Sequence, residues 1–159
     1  MTSLVKLREP SPIVIQMLRD FEAFSEYEGL YVFEHFDIEL ATALLEEKIS
    51  AVVLLHTPLH ASTLIDQLPD GVYTAAQAYL YCCQHGLNVP DILLDDVDEL
   101  TIMSLLKHQL NIQETADDLF IHRNTLNYRL DKIYQKTGFM FRQFEDAMTY
   151  YVFRHFCAK

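Results

Sequence analysis

The sequence predicts a mainly α protein, a helical N-terminal region followed by a C-terminal tri-helical helix-turn-helix unit. Three observations lead there. Glycine is scarce, with four in 159 residues, which disfavours a fold built on many tight turns. Strong helix formers such as Leu, Ala, Glu and Gln recur along the chain. Apolar residues return at helical spacing, most clearly as Leu126, Leu130 and Ile133.

Taken in order, Ser11-Pro12 opens a helix with proline at its first position. It continues through Ile15, Met17, Leu18 and Phe21 to about residue 27, and Gly29 stops it. Residues 30–36 alternate loosely and read as a short strand. Asp37 caps a helix through Leu40, Leu44 and Leu45. Residues 49–55 are β-branched and apolar; they are either a buried strand or a buried helix, and periodicity does not choose. Residues 60–68 read as helix, and Pro69-Asp70-Gly71 as a turn. Thr74 starts a helix that ends at His85-Gly86. Residues 91–94 read as one short turn, and Asp98 caps a helix through Leu100, Met103, Leu106 and Leu110. The strings His85-Gly86-Leu87-Asn88-Val89 and His108-Gln109-Leu110-Asn111-Ile112 echo each other after a helix end, by similar capping or by chance rather than as a repeat. A boundary near residues 88–97 divides an acidic, mainly helical region, 1–95, from a helix-turn-helix region, 96–159.

A net charge of −11 and a pI near 4.9 argue, taken whole, against a nucleic-acid binder, because duplex DNA repels an acidic surface. The charge is uneven, however. Seven of the twelve Lys and Arg but only six of the twenty-three Asp and Glu lie from Asn111 onward. That stretch carries +1 and residues 1–110 carry −12, which removes the objection. Three cysteines, Cys82, Cys83 and Cys157, form no disulfide framework and read as reduced thiols of a cytoplasmic protein. Met1-Thr2-Ser3-Leu4-Val5-Lys6 has no apolar core of a signal peptide. The apolar run at 51–55 is far too short to span a bilayer, so no membrane association is expected.

Residues 111–133 meet the steric demands of a helix-turn-helix. Ala116 is the small residue where the second helix crosses the first, Leu119 faces the same core, and Ile121 is the apolar residue of the turn. With Leu126, Leu130 and Ile133 inward, Arg123, Asn124, Asn127 and Tyr128 point away. Arginine donates two hydrogen bonds to guanine in the major groove, and asparagine pairs both ways with adenine. Thr125 and Arg129 lie towards the flanks, where phosphates run, and Lys132 and Lys136 extend that basic edge. Gln113 and Thr115, near the start of the first helix, are placed for a phosphate. Thr137-Gly138 closes the second helix. A last helix, residues 144–157, carries Met148, Tyr151, Val152, Phe153 and Phe156 on more than one face, which suits packing on the helix-turn-helix and on a second subunit. Two-fold pairing doubles the contacts of a lone module, so a homodimer is expected.

On these residues the segment resembles the C-terminal helix-turn-helix of PucR/CdaR-type transcription regulators and, more distantly, the Fis-type DNA-binding domain. The match lies in Leu110-Asn111-Ile112-Gln113-Glu114-Thr115-Ala116, in residues 121–130, and in Ile133 and Thr137-Gly138, and it covers about residues 98–157. The resemblance implies double-stranded DNA as partner, bound by a dimer on paired half-sites. It also implies His122, Arg123, Asn124, Thr125, Asn127 and Tyr128 as the reading end. Three positions depart from the pattern: Phe120 stands where the turn commonly has glycine, Phe144 where the family has proline, and Asp131 adds an acid to the recognition helix. The first 95 residues do not match the sensory domains of such regulators, and no effector follows.

Other chemistries have little support. Cys82, Cys83 and His85 lack a CxxC or HxxxH partner, and adjacent helical cysteines point about 100° apart. Asp95, Asp96, Asp98 and Glu99 lack the EF-hand pattern and read as a solvated helix start. No nucleophile elbow, P-loop or GxGxxG occurs. No cofactor, metal or catalytic residue is therefore assigned. The expectation is a DNA-binding transcription regulator that is not an enzyme. Its rivals are a protein-interaction or structural helical module whose helix-turn-helix no longer binds DNA, and a small-molecule sensor or enzyme in the N-terminal region.

Overall fold

The computed structural model describes residues 2–21, 24–36 and 38–157; Asp37, expected to cap a helix, lies outside them. The chain divides into two compact units, Met1–Pro90 and Asp91–Lys159.

The first unit is built on a five-stranded mixed sheet, which corrects the mainly α expectation: the fold is α/β. Strands β1 (Thr2–Leu7), β2 (Phe24–Tyr27), β3 (Leu30–Phe33), β4 (Ala51–Thr57) and β5 (Gly71–Thr74) stand in the order β2-β3-β1-β4-β5. Neighbours are antiparallel except β4 and β5, which run parallel. Val5 of the central β1 pairs with Tyr31 on one side and Val53 on the other. Helices α1 (Pro12–Phe21), α2 (Ile38–Glu46) and α3 (Ala75–Gln84) and a 3-10 helix (Leu59–Gln67) complete the unit.

Both faces of the sheet's centre are covered. Val5, Leu7, Val53 and Leu55 join Tyr31 and Phe33 in a cluster with Leu18 of α1 and with Ala41 and Leu44 of α2. Leu4, Val52 and Leu54 are equally buried, and the two-residue period of a strand turns them to the opposite face, where the 3-10 helix and α3 pack on β1 and β4. A strand buried on both faces shows no polar–apolar alternation, which is why residues 49–55 read equally as strand or helix.

The helix expected to reach residue 27 stops at Phe21, and Phe24–Tyr27 is a strand instead. β2 and β3 meet in a two-residue hairpin whose turn residues, Glu28 (φ 50°) and Gly29 (φ 76°), both adopt the left-handed backbone that such a loop requires. The segment 60–68 is helical, but as a 3-10 rather than an α helix. Thr74 opens α3 with a reciprocal capping box: its hydroxyl accepts from the Gln77 backbone N–H, and the Gln77 side chain accepts from the Thr74 N–H.

The second unit holds α4 (Asp96–Lys107), α5 (Ile112–Asp118), α6 (Arg123–Thr137), α7 (Phe144–Val152) and a π-helical turn (Phe153–Cys157). Asp95, not Asp98, caps α4, accepting from the Asp98 N–H at 2.9 Å. Residues 91–94 have no regular structure. α3 and α4 end in the same turn, with Leu87 N–H reaching Cys82 O and Leu110 N–H reaching Leu105 O, both at 2.9 Å; the echo at His85 and His108 is shared capping. Ile102, Leu105, Ala116, Leu126, Leu130, Ile133, Phe139, Phe141 and Tyr150 are buried. Among the described residues no helix is long and apolar enough to cross a membrane.

Candidate nucleic-acid interface

α5, its turn and α6 set out the candidate face. Asn111 caps α5, its Oδ1 accepting from the backbone N–H of Gln113 at 3.0 Å and of Glu114 at 3.2 Å. Ala116 is fully buried. α5 ends with Phe120 N–H bonded to Asp117 O and Ile121 N–H bonded to Ala116 O, the two bonds of a Schellman closure. That closure places Phe120 in the left-handed region, at φ 53°. Phenylalanine therefore holds the backbone that glycine would supply, and its ring is 96% exposed. His122 then caps α6, its Nδ1 accepting from Asn124 N–H at 3.2 Å. Leu126, Leu130, Ile133 and Thr137 face inward, and Gly138 (φ 76°) closes the helix by donating to Tyr134 O at 2.7 Å.

With that stripe buried, His122, Arg123, Asn124, Thr125, Tyr128 and Lys132 are exposed together along the start and outer edge of α6. The Lys132 ammonium lies 5.6 Å from the Tyr128 ring centre, which holds both side chains on the same edge. Asn127 and Arg129 are half-buried at the margins. Arg142, which follows α6, covers Asn127: Nη2 donates to Asn127 O at 2.8 Å, and Nε and Nη2 reach its Oδ1 at 3.3 and 3.2 Å. Arg142 Nη1 also donates to Asp131 Oδ1 at 2.8 Å, so the acid on α6 carries its own counter-charge. Sequence reasoning assigned Arg142 no place here; the only available signal was its positive charge.

Three expected residues stand differently. Lys136 is turned to α4, bonded to Asp95 at 2.9 Å and to Asp98, instead of extending the basic edge. The Asp98 and Asp95 hydrogen bonds hold its pKa above the ordinary lysine value. Thr115 is buried and its hydroxyl donates to Asn111 O at 2.7 Å, which sets it apart from the exposed face. Gln113 is exposed, but its amide donates to Asp117 at 2.9 Å and its backbone N–H serves the cap.

Behind the face, Asp118 ties α5 to α4. Its carboxylate accepts from Ser104 Oγ at 2.8 Å and from Lys107 Nζ at 3.0 Å. These two bonds, the serine's first, hold its pKa down to about 2. Elsewhere Cys82 is buried, and His85 stacks on Tyr81 at 4.0 Å. Among the described residues no group of three or more His, Cys, Asp or Glu is placed to hold a metal ion.

This geometry defines a helix-turn-helix unit with a polar, cation-bearing outer edge. Residues 100–153 match the PucR C-terminal helix-turn-helix domain, in agreement with the resemblance read from the sequence. Protein YsfB of Bacillus subtilis (strain 168) is 46% identical over 56 residues, 35% of this chain and 15% of that protein. The carbohydrate diacid regulator of Escherichia coli (strain K12) is 40% identical over 52 residues, 33% of this chain and 14% of that protein. The chain thus spans about one seventh of the length of these relatives. A solved structure, a regulator of polyketide synthase expression from Bifidobacterium adolescentis, aligns with 94% of this chain and 76% of its own at 16% identity, with a TM-score of 0.40, a likeness too low to define the fold.

Proposed function

We propose that this chain is a transcription regulator that binds duplex DNA through α6 as a homodimer, in the cytoplasm, with no cofactor and no catalytic step. One observation carries the reading: the apolar stripe of α6 is buried, while His122, Arg123, Asn124, Thr125 and Tyr128 remain exposed together at its leading end. A helix presented this way enters the major groove with its first residues on base edges. Arg123 and Asn124 are the base-reading pair, and Thr125, Arg129 and Lys132 meet phosphates. The match to a helix-turn-helix domain and the relative named as a regulator support the same reading.

The test is selection of genomic fragments by the full chain, with Arg123→Ala as control. Loss of a bidentate guanine contact lowers selective affinity by roughly 5- to 150-fold. Binding by the unaltered chain weakens steeply as salt rises. If the folded chain retains no fragment even at low salt, the interaction-module reading takes its place.

A further inference from the structure

α4 bears a stripe that is complementary to its own reverse. At about 100° per residue, Asp96, Leu100, Met103 and Lys107 fall within about 60° of one another. All four are exposed, Leu100 at 60% and Met103 at 38%. Val97 adds a further exposed apolar side chain beside them. The helix buries its opposite side instead, through Asp98, Thr101, Ile102, Ser104 and Leu105. The midpoint of the stripe lies between Leu100 and Met103, and Asp96 and Lys107 are equidistant from it. An acid thus stands at one end, a base at the other and two large apolar groups in the middle.

We propose that this stripe is the contact for a second copy of the same chain, paired antiparallel about a two-fold axis passing between Leu100 and Met103. The proposal rests on the homodimer reading above and names its surface. In this pairing Leu100 meets the partner's Met103 and Asp96 meets the partner's Lys107, each twice by symmetry. The charge order favours self-pairing: run parallel, the helices would set Asp96 on Asp96. Antiparallel alignment also places each positive helix start beside a negative helix end. Lys107 contacts Asp118 of its own copy at 3.0 Å and is 65% exposed in its side chain, so its free side is open to a second carboxylate. Arg154 and His155 border the stripe in a shallow groove with Leu100 and Met103. Arg154 is paired with Glu99 at 2.8 Å, which keeps its charge satisfied within the copy.

Sedimentation equilibrium of the full chain tests the pairing, with circular dichroism confirming each variant's fold. The unaltered chain is expected to be dimeric, and Leu100→Glu with Met103→Glu monomeric. Asp96→Lys or Lys107→Glu alone sets like charges opposite each other and weakens the dimer about tenfold. Both reversals together restore it, a rescue that a loss of helix stability does not produce. A monomeric unaltered chain, single reversals that dimerise normally, or a double reversal as weak as the singles would overturn the proposal. Fragment binding separates the two readings. A monomer that still selects DNA defeats only the pairing, and a dimer of this pattern that binds no DNA defeats only the DNA reading.

Discussion

Arg142 lies across Asn127, bonded to both its backbone and its side-chain oxygen, and reaches on to Asp131. One guanidinium therefore fixes an amide at the margin of α6 and neutralises the acid one turn further on. Arg142→Ala is expected to lower stability by about 1 kcal/mol, since the Asp131 ion pair is solvent-screened and the bond to Asn127 O contributes most. Urea unfolding measures this. The same variant should weaken DNA binding relative to the unaltered chain, because Asp131 is left without its counter-charge. Equal affinities by fluorescence anisotropy would restrict Arg142 to a structural role.

Phe120 holds a left-handed backbone at φ 53° with a ring that packs on little. Such a conformation costs a residue with a Cβ roughly 1–2 kcal/mol, against roughly 0.5–1 kcal/mol of added chain entropy for glycine. Phe120→Gly is therefore expected to stabilise the fold by about 0.5–1 kcal/mol, read as a rise in the thermal midpoint. A fall would mean that the ring contributes packing its exposure does not reveal.

Asp118 has a folded pKa of about 2, below the ordinary 3.8, because the bonds from Ser104 and Lys107 favour its charged form. A lowered carboxylate pKa stabilises the fold above the unfolded value, and that contribution fades as pH falls from about 4 through about 2. Carboxyl-carbon NMR titration should find Asp118 among the last carboxylates to protonate. In Ser104→Ala its pKa should rise towards 3.8; an unmoved value would assign the depression to Lys107 and His108.

The helix-turn-helix announced itself because its constraints are local. Ala116, Ile121, Leu126 and Leu130 fall within fifteen residues, and caps such as Asn111 and Gly138 mark its ends. The sheet did not, because pairing is a long-range choice. β1 is short, and its central residues are buried on both faces, so Ser3-Leu4-Val5 shows no alternation. Phe24 falls three residues after Phe21 and mimics a continuing helical stripe, although it pairs with Phe33. Within the candidate face, Lys136 looked like a free cation because Asp95 and Asp98 lie about forty residues away in sequence, at the start of another helix.

β1 occupies the middle of a sheet whose other members all come later, at residues 24–33, 51–57 and 71–74. It is the seam between two ribbons, β2-β3 and β4-β5, which share no edge without it. Closing loops of some 25 and 45 residues onto that seam is slow compared with docking helices joined by a few residues. The two units therefore mature on different clocks. The helix-turn-helix is expected to form while the strands are still finding their register, and loss of β1 (Thr2–Leu7) would divide the sheet rather than trim it.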